Sequence, residues 1–413
     1  MYALVDAVSF YASAEKVFDP SIRNRPVVVL TNNDGCICAV CPIARKLGIP
    51  KFKPYFQVKN FLEKHSVVVR SSNYELYADL SEKMMNVISR FCDNQHIYSI
   101  DEAFLSFNNY ACINDWHDYG QQIRKAIWKE TRLPVGVGFG STPTLAKAAN
   151  HAAKKLSGFN GVAIADTHKK DILQRMTVEQ VWGIGSKLGA KLNVLGVKSA
   201  FDLAKQNPKQ MRKQFSVLVE RTINELNGIS CLSWDDVKQA KKEIFSTRSF
   251  GQRLTDFNAL RSALVFHAYI VAKKVREQQS LIKRISVFAS SSPHDDDYYK
   301  NAVQVQFASP TDNTLYIASC VATAVQKIYY PGVRFYRCGV GAIELDTNIY
   351  QPDLFAKDTN NIELMQCLDA INNRYGSGTL QLGAMNTEKF HMRREFMSPR
   401  FTSQWQDIPK IHC

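Results

Sequence analysis

The stretch Ile97-Tyr98-Ser99-Ile100-Asp101-Glu102-Ala103-Phe104-Leu105-Ser106-Phe107 decides how the first part of the chain is organised. Its β-branched and aromatic residues predict a β-hairpin, with Asp101 and Glu102 at or near the turn. Neighbouring residues on a regular strand point to opposite faces, so two adjacent carboxylates converge most easily where the strand bends. The stretch therefore predicts a pair of acids at one end of a sheet.

A third carboxylate, Asp6, ends the strand-like run Tyr2–Val5. Each acid alone is best interpreted as an ordinary surface residue. If the first strand lies beside the hairpin, however, three carboxylates meet at one sheet edge, where they repel one another and need cations. Hard oxygen ligands with room for phosphates favour Mg²⁺, with Mn²⁺ as a substitute. Two such ions can activate a 3′-hydroxyl and stabilise a leaving pyrophosphate, with Arg45 and Lys154 as candidate phosphate contacts.

The flanking segments predict an α+β domain. Strand and helix signals alternate, which suits an antiparallel sheet backed by helices. The predicted strands are 25–31 and 134–140, and the predicted helices are 42–48, 74–91, 116–130 and 142–155.

Gly183-Ile184-Gly185 predicts the turn of a helix-hairpin-helix in a second, mainly helical domain. Such glycines permit a tight turn whose backbone N–H groups can face a DNA phosphate. The tripeptide alone fits a plain loop equally well. Lys187 and Lys191 beside it favour DNA binding.

A charged linker is predicted at 236–243, followed by a new αβ module with Arg248 near its start. Residues 241–340 hold 14 Lys and Arg against 7 Asp and Glu, a net charge of +7. We expect this module, and Arg248 in it, to contact DNA phosphates. The polar, loop-rich stretch from 346 onward is expected to be weakly ordered in large part.

The formal charge of +14 favours a polyanionic partner, because cationic side chains release counterions from a phosphate backbone. A basic protein without such a partner is the alternative. No run of 18 apolar residues is present, and the N-terminus lacks a signal-peptide pattern, so a cytoplasmic protein without a membrane contact is expected. Cys36, Cys38 and Cys41 are interpreted as packing residues. A zinc site that includes these cysteines is the less favoured interpretation.

Several segments resemble the Y-family DNA polymerases, and within them the UmuC type rather than the DinB branch. The match runs nearly end to end, through Val181–Gly185 and Ser249–Gly251 to Ser398–Arg400. The segments that carry it are Asp6 with Phe10–Ser13, Asn32–Cys36, Ser71–Asp79, Tyr98–Phe104 and Leu145–Lys154.

This resemblance implies a multidomain right-hand polymerase fold and an error-prone translesion DNA polymerase of the SOS response, associated with the nucleoid. The implied domains are a palm (1–10 and 75–165), fingers (11–74), a helix-hairpin-helix thumb (166–235), a linker (236–243), a little finger (244–345) and a C-terminal tail (346–413).

The resemblance also implies roles for single residues. The implied metal ligands are Asp6, Ala7 through its carbonyl, Asp101 and Glu102. The implied nucleotide contacts are Phe10, Tyr11, Cys38, Ala39, Arg45 and Lys154. Tyr11 would be the steric gate that rejects a ribose 2′-hydroxyl. Small residues at Cys38 and Ala39 would leave room for damaged bases.

Two positions depart from the family pattern. Pro42 stands where many relatives place a Tyr three residues before the finger Arg, so one triphosphate contact is missing or replaced. Val8 stands where relatives often carry a polar residue. Neither change removes a metal ligand.

The implied partners are primer–template DNA, a dNTP, a sliding clamp, a processed UmuD dimer and a RecA filament. Gln351, Leu354 and Phe355 resemble the bacterial clamp-binding motif. Alternatives are a catalytically silent DNA- or clamp-binding scaffold, a DinB-branch polymerase, and a helix-hairpin-helix nuclease or glycosylase. The three acids disfavour a scaffold, and the nucleotide contacts disfavour the nuclease.

Overall fold

The computed structural model describes residues 1–107, 110, 113–232, 240–347, 361–376, 378–385 and 392–408. The chain divides into two units, the first comprising 1–238 with 394–413 and the second 239–393. Among the described residues, no helix combines the length and apolar character needed to cross a membrane.

The described residues form strands β1 (Tyr2–Ala7), β2 (Val27–Leu30), β3 (Ile37–Val40), β4 (Val68–Ser71), β5 (Gln95–Ile97), β6 (Glu102–Ser106), β7 (Val135–Gly140), β8 (Val162–Ile164), β9 (Ile244–Leu254), β10 (Ser280–Ser290), β11 (Lys300–Thr311) and β12 (Phe335–Thr347). The helices are α1 (Phe10–Glu15), α2 (Pro42–Lys46), α3 (Tyr55–Lys64), α4 (Tyr74–Ile88), α5 (Trp116–Thr131), α6 (Pro143–Lys155), α7 (Ala165–Arg175), α8 (Ser186–Val194), α9 (Ala200–Ala204), α10 (Pro208–Gln214), α11 (Val217–Leu226), α12 (Phe257–Glu277), α13 (Thr314–Ile328) and α14 (Ile362–Tyr375).

The sheet predicted around the hairpin has the strand order β5-β6-β1-β7-β8. Its centre is β1, whose residues Ala3, Leu4 and Val5 are fully buried, as expected for an apolar strand covered on both faces. β1 runs antiparallel to both β6 and β7. The expected antiparallel sheet needs one correction, because β7 and β8 are parallel.

Helix α6 lies directly on β7 because that strand alternates with glycine. A Cβ atom on Gly138 would stand 2.0 Å from the backbone nitrogen of Asn150, and one on Gly140 would stand 2.6 Å from that of Ala146. The helix begins at Thr142, whose side chain accepts from the Leu145 N–H, with Pro143 in the first turn. The glycines thus bring α6 within backbone contact of the sheet.

A second sheet, in the order β3-β2-β4, was not predicted beyond its central strand β2. β2 and β4 are parallel, and β2 is fully buried over Val27–Leu30. The buried side chains of this sheet and of the first sheet form one continuous hydrophobic core. The expected palm and fingers therefore do not form separate cores.

Helices α7 to α11 surround another core, which includes buried side chains of α6 such as Leu145 and Ala149. Gly183, with φ of 85°, makes the turn before α8, and Gly185 is the residue at which α8 begins. This is the mainly helical region that the sequence predicted.

The second unit contains an antiparallel sheet in the order β11-β10-β12-β9, with α12 and α13 packed on one face. The predicted weak order of the tail is wrong for α14. Met365 and Leu368 of this helix bury against Tyr269 on α12, and Arg276 donates two hydrogen bonds of 2.7 and 2.8 Å to Asp369.

The weak-order prediction is also wrong for residues 394–401, which pack within the first unit. The Ser71 N–H donates to the Phe396 carbonyl at 3.0 Å, and the Phe401 ring stacks on Phe18 with centroids 5.2 Å apart. The partners of this segment lie more than 300 positions earlier in the chain, so its local composition could not reveal its order.

Candidate active site

Three carboxylates meet at the end of β1, as the hairpin predicted. Asp6 lies opposite Glu102 in the antiparallel register, and opposed residues project from the same face of a sheet. Asp101 occupies the turn before β6, where its carbonyl accepts from the Ala7 N–H at 2.9 Å. Ser99 Oγ donates to Asp101 Oδ1 at 2.6 Å and fixes the carboxylate.

Burial and neighbouring charges both act on the Asp6 carboxyl. Its pKa is raised to about 6, mainly by burial; Lys154 lowers the pKa, whereas the charges of Glu102 and Asp101 raise it. The carboxyl forms an ion pair with Lys154. The three acids therefore lie near enough for their charges to interact.

Lys147 forms a second ion pair, with its Nζ 3.0 Å from Glu102 Oε1. The ammonium also lies 4.5 Å from the centre of the Tyr98 ring and 5.0 Å from that of Trp182. Lys147 was not predicted from the sequence. The helical spacing could have indicated it, because residues seven apart on a helix share a face, and Lys147 and Lys154 are so spaced on α6.

A cleft of about 970 Å³ opens beside these acids. It brings together Asp6, Ala7, Asp101 and all six of the predicted nucleotide contacts. Glu102, which is paired with Lys147, is not among the lining residues. The lining residues are Asp6–Tyr11, Cys38–Val40, Arg45, Ile49, Lys51, Ile100, Asp101, Lys154 and Lys155.

Aromatic rings form one wall of the cleft. Tyr11 stacks on Tyr77 with centroids 4.5 Å apart and planes 15° apart, and the edge of Tyr74 meets it at 6.1 Å. Phe10 is 3% exposed and lies below Tyr11 in the core. The half-buried Tyr11 ring is thus held from beneath while one face borders the cleft.

Cations also line the cleft. Arg45 is one of them, and its guanidinium donates to Ser9 Oγ at 3.2 Å. Burial, Arg45, Lys154 and Lys51 together lower the pKa of Lys155. Such a concentration of positive charge suits a polyphosphate. Lys51 and Lys155 had not been predicted.

The residues fit a divalent cation by their donor chemistry. Asp6, Asp101 and Glu102 supply only carboxylate oxygens, and the charges of Asp101 and Glu102 both act on Asp6. Hard cations prefer such oxygen ligands. In the part of the chain that the structure describes, no group of three or more His, Cys, Asp or Glu side chains is arranged to hold a metal ion. Asp6 is paired with Lys154 and Glu102 with Lys147.

The three cysteines near this site pack as expected. Cys41 Sγ accepts hydrogen bonds from the Val27 and Ala44 N–H groups at 3.2 and 3.4 Å and so caps α2. Cys36 and Cys38 are half-buried free thiols.

The predicted DNA contacts lie in two places. Gly183, Gly185, Lys187 and Lys191 are exposed; the first three lie around the start of α8 and Lys191 lies in its last turn. Arg248, by contrast, lies opposite the buried Cys338 and 5.8 Å from the Phe266 ring on α12. It therefore faces the helices of the second unit rather than the open face of its sheet.

The open face of that sheet carries other arginines. Arg337 is exposed and donates to Thr247 Oγ1 at 3.1 Å, and Arg284 donates to Gln306 Oε1 at 2.7 Å. The clamp-like residues Gln351, Leu354 and Phe355 lie outside the described residues, as do residues 236–239 of the predicted linker 236–243.

Family models match most of the chain. The impB/mucB/samB family matches residues 5–151, and the C-terminal domain of that family matches residues 241–354. A domain of unknown function (DUF4113) matches residues 363–411.

Individual relatives agree with this assignment. The chain is 39% identical to protein UmuC of Salmonella typhimurium over 100% of both chains, and 38% identical to protein SamB of the same organism over 99% of both. A solved Y-family DNA polymerase chimera of Dbh and Dpo4 shares the fold, with a TM-score of 0.66 at 20% identity, covering 84% of this chain and 99% of that one. The chain therefore belongs to the impB/mucB/samB family, the UmuC-type branch of the Y-family translesion DNA polymerases.

Proposed function

We propose that the chain adds dNTPs to a primer 3′ end by two-metal phosphoryl transfer at the carboxylate edge of the first sheet. The observation that carries the proposal is the convergence of three acids with a cationic, aromatic-walled cleft of about 970 Å³. A scaffold needs neither the acids nor the cleft.

Asp6, Asp101, Glu102 and the Ala7 carbonyl are the proposed ligands, with Mg²⁺ as the ion and Mn²⁺ as a substitute. When bound, the ions lower the pKa of the 3′-hydroxyl and neutralise charge on the leaving pyrophosphate. Lys154 and Lys147 neutralise the acids until then, because each already pairs with one of them.

Arg45 and Lys154 are proposed to bind the triphosphate, together with Lys51 and Lys155, which line the same cleft. Tyr11 would contact the sugar and exclude a ribose 2′-hydroxyl, with Phe10 packed beneath the nucleotide. Cys38 and Ala39 line the part of the cleft where the nascent base pair would lie, and their small side chains favour damaged templates.

DNA would be bound at two surfaces. The exposed turn at Gly183 and Gly185, with Lys187 and Lys191, can direct N–H groups and ammonium groups at a phosphate. On the second unit we replace the predicted contact Arg248 by Arg337, which lies on the open face. The proposed domains keep the boundaries expected from the sequence. Within the proposed tail, residues 361–408 are largely ordered.

The proposed protein partners are a sliding clamp, a processed UmuD dimer and a RecA filament, and the proposed location is the nucleoid. They are inferred from the likeness to UmuC. Primer extension with and without a UmuD-type dimer and a RecA filament tests these two partners. Equal extension in both conditions would exclude the UmuD dimer and the RecA filament as partners.

Turnover provides the central test. Asp101→Asn and Glu102→Gln should each lower single-turnover dNTP addition at least about 10³-fold, roughly 4 kcal/mol of barrier, while DNA affinity is retained. Asp118→Asn makes the same change at an exposed position on α5 and serves as the control. Near-normal extension by either active-site variant would exclude the mechanism and favour the scaffold.

A further inference from the structure

Residues 394–401, here called the C-terminal strap, lie against the first unit. The Glu395 N–H donates to the buried Asp34 at 2.8 Å, and the Phe396 N–H donates to Ser71 Oγ at 3.0 Å. The Phe396 ring meets Tyr55 edge-on, with centroids 5.5 Å apart. The strap therefore packs as part of the folded first unit.

Ser398 is the most deeply buried residue of the strap, at 5% exposure. Asn73 Nδ2 donates to Ser398 Oγ at 3.0 Å, while Asn73 Oδ1 accepts from the Leu76 N–H at 3.3 Å. Asn73 thus begins α4 and contacts the strap with the same side chain. The strap consequently fixes the first turn of the helix that carries Tyr77.

A buried acid is the hydrogen-bond partner of that tyrosine. Glu15 is 1% exposed, and its Oε1 accepts from the Tyr77 hydroxyl at 2.6 Å. Burial raises the pKa of Glu15, and the hydrogen bond from Tyr77 opposes that rise. The Glu15 carboxyl is inaccessible to solvent and does not line the catalytic cleft.

Tyr77 transmits this arrangement to the cleft. Its side chain is fully buried, and its ring stacks on Tyr11 at 4.5 Å with planes 15° apart. Aromatic pairs have preferred stacking geometries, so the position of one ring restricts the position of the other. The hydrogen bond to Glu15 holds the Tyr77 ring on which Tyr11 stacks.

We propose that Ser398, Glu15 and Tyr77 are positioning residues for Tyr11, so that the C-terminal strap sets the discrimination between deoxyribose and ribose. The proposal rests on the role of Tyr11 given above. Steric exclusion of one hydroxyl group depends on displacements of a fraction of an ångström, and this hydrogen-bonded stack is what prevents them.

The test compares kcat/KM for dNTP and rNTP addition by the full chain. Tyr77→Phe and Ser398→Ala should each lower the dNTP-to-rNTP ratio by about threefold to tenfold, the range that one lost hydrogen bond spans. Tyr110→Phe removes a comparable tyrosine–carboxylate bond, to Asp93 at 2.9 Å, and should keep the ratio. Ser403→Ala makes the same serine-to-alanine change at an exposed residue just beyond the strap, and it should also leave the dNTP-to-rNTP ratio unchanged.

Tyr11→Ala separates this inference from the proposed function. If Tyr11→Ala does not admit ribonucleotides, the proposed role of Tyr11 is wrong. If it does, while Tyr77→Phe and Ser398→Ala retain the parental ratio, the positioning role alone is overturned. Equal losses for dNTP and rNTP would show a merely structural role and overturn it too. In a Tyr11→Ala background, Tyr77→Phe should leave the ratio unchanged, because coupled residues do not add.

Discussion

The two arginines of the second unit illustrate how much a single residue's function depends on the face it occupies. Arg248 and Arg337 lie on paired strands, β9 and β12, one register position apart. Arg248 faces Phe266 and the buried Cys338, whereas Arg337 is exposed on the other face. Of these two arginines, Arg337 is the proposed phosphate contact because it is exposed.

We expect these arginines to respond differently to substitution. Arg337→Ala should weaken binding to duplexes of any sequence and reduce the slope of log K against log salt by about 1. Arg248→Ala should leave that slope unchanged and destabilise the second unit by about 0.5–1 kcal/mol, through loss of the contact with Phe266. Fluorescence anisotropy at several salt concentrations and urea unfolding measure the two effects. A reduced slope for Arg248→Ala would restore the role predicted from the sequence.

The convergence of the three acids was easier to predict from the sequence than the sheet face on which Arg248 lies. Asp101 and Glu102 are adjacent, so their convergence with Asp6 required only one strand pairing, and that pairing is present. The face of Arg248 depended on the register and on helix α12, which a local pattern does not specify. Lys147 could have been found from its spacing, because it lies seven residues before Lys154 on the same helix.

At the scale of elements, the contact between α6 and β7 positions the cations of the site. Gly136 lies opposite Asp6, and a Cβ atom there would come within 2.5 Å of Lys154 Cγ. The bare strand therefore lets the Lys154 stem pass over the sheet to reach the carboxylate.

Gly138→Ala should disturb this contact. Its Cβ would meet helix backbone at 2.0 Å, and backbone cannot rotate away, so α6 must shift together with Lys147 and Lys154. We expect a loss of about 1–3 kcal/mol in unfolding free energy and a fall in turnover of the protein that remains folded. Gly383→Ala adds the same methyl group to open space and is the control. Unchanged stability of Gly138→Ala, measured in urea, would show that the contact is not tight.

The elements that the sequence predicted were those with strong local signals. β1, β2, α4, α5 and α6 have buried runs or clear caps, and each lies close to its expected bounds. β4 was overlooked because it is a short edge strand with Arg70 in it, and it pairs with β2 across about 40 positions. The order of α14 depends on Tyr269 of α12, so the polar composition of the tail was misleading.

At the scale of the whole molecule, two kinds of attraction to the template are expected. The charge of +14 supplies an affinity for nucleic acid that carries no sequence information and weakens with salt. Electrostatic attraction alone does not retain a polymerase at a primer end. The segment Gln351-Pro352-Asp353-Leu354-Phe355, between β12 and α14, offers a second attraction of a different kind.

That segment resembles the clamp-binding motif, in which a Gln is followed three and four residues later by Leu and Phe. Two apolar anchors can fill a pocket while the Gln fixes the orientation through hydrogen bonds, and ordering costs keep the affinity modest. Leu354→Ala combined with Phe355→Ala should therefore abolish the stimulation of primer extension by a loaded clamp, while extension on short primers without a clamp stays at the parental level. Asp353→Ala, inside the same segment, is the matched control and should retain the stimulation. If the double variant lost basal and clamp-stimulated extension equally, these side chains would instead pack on the protein itself.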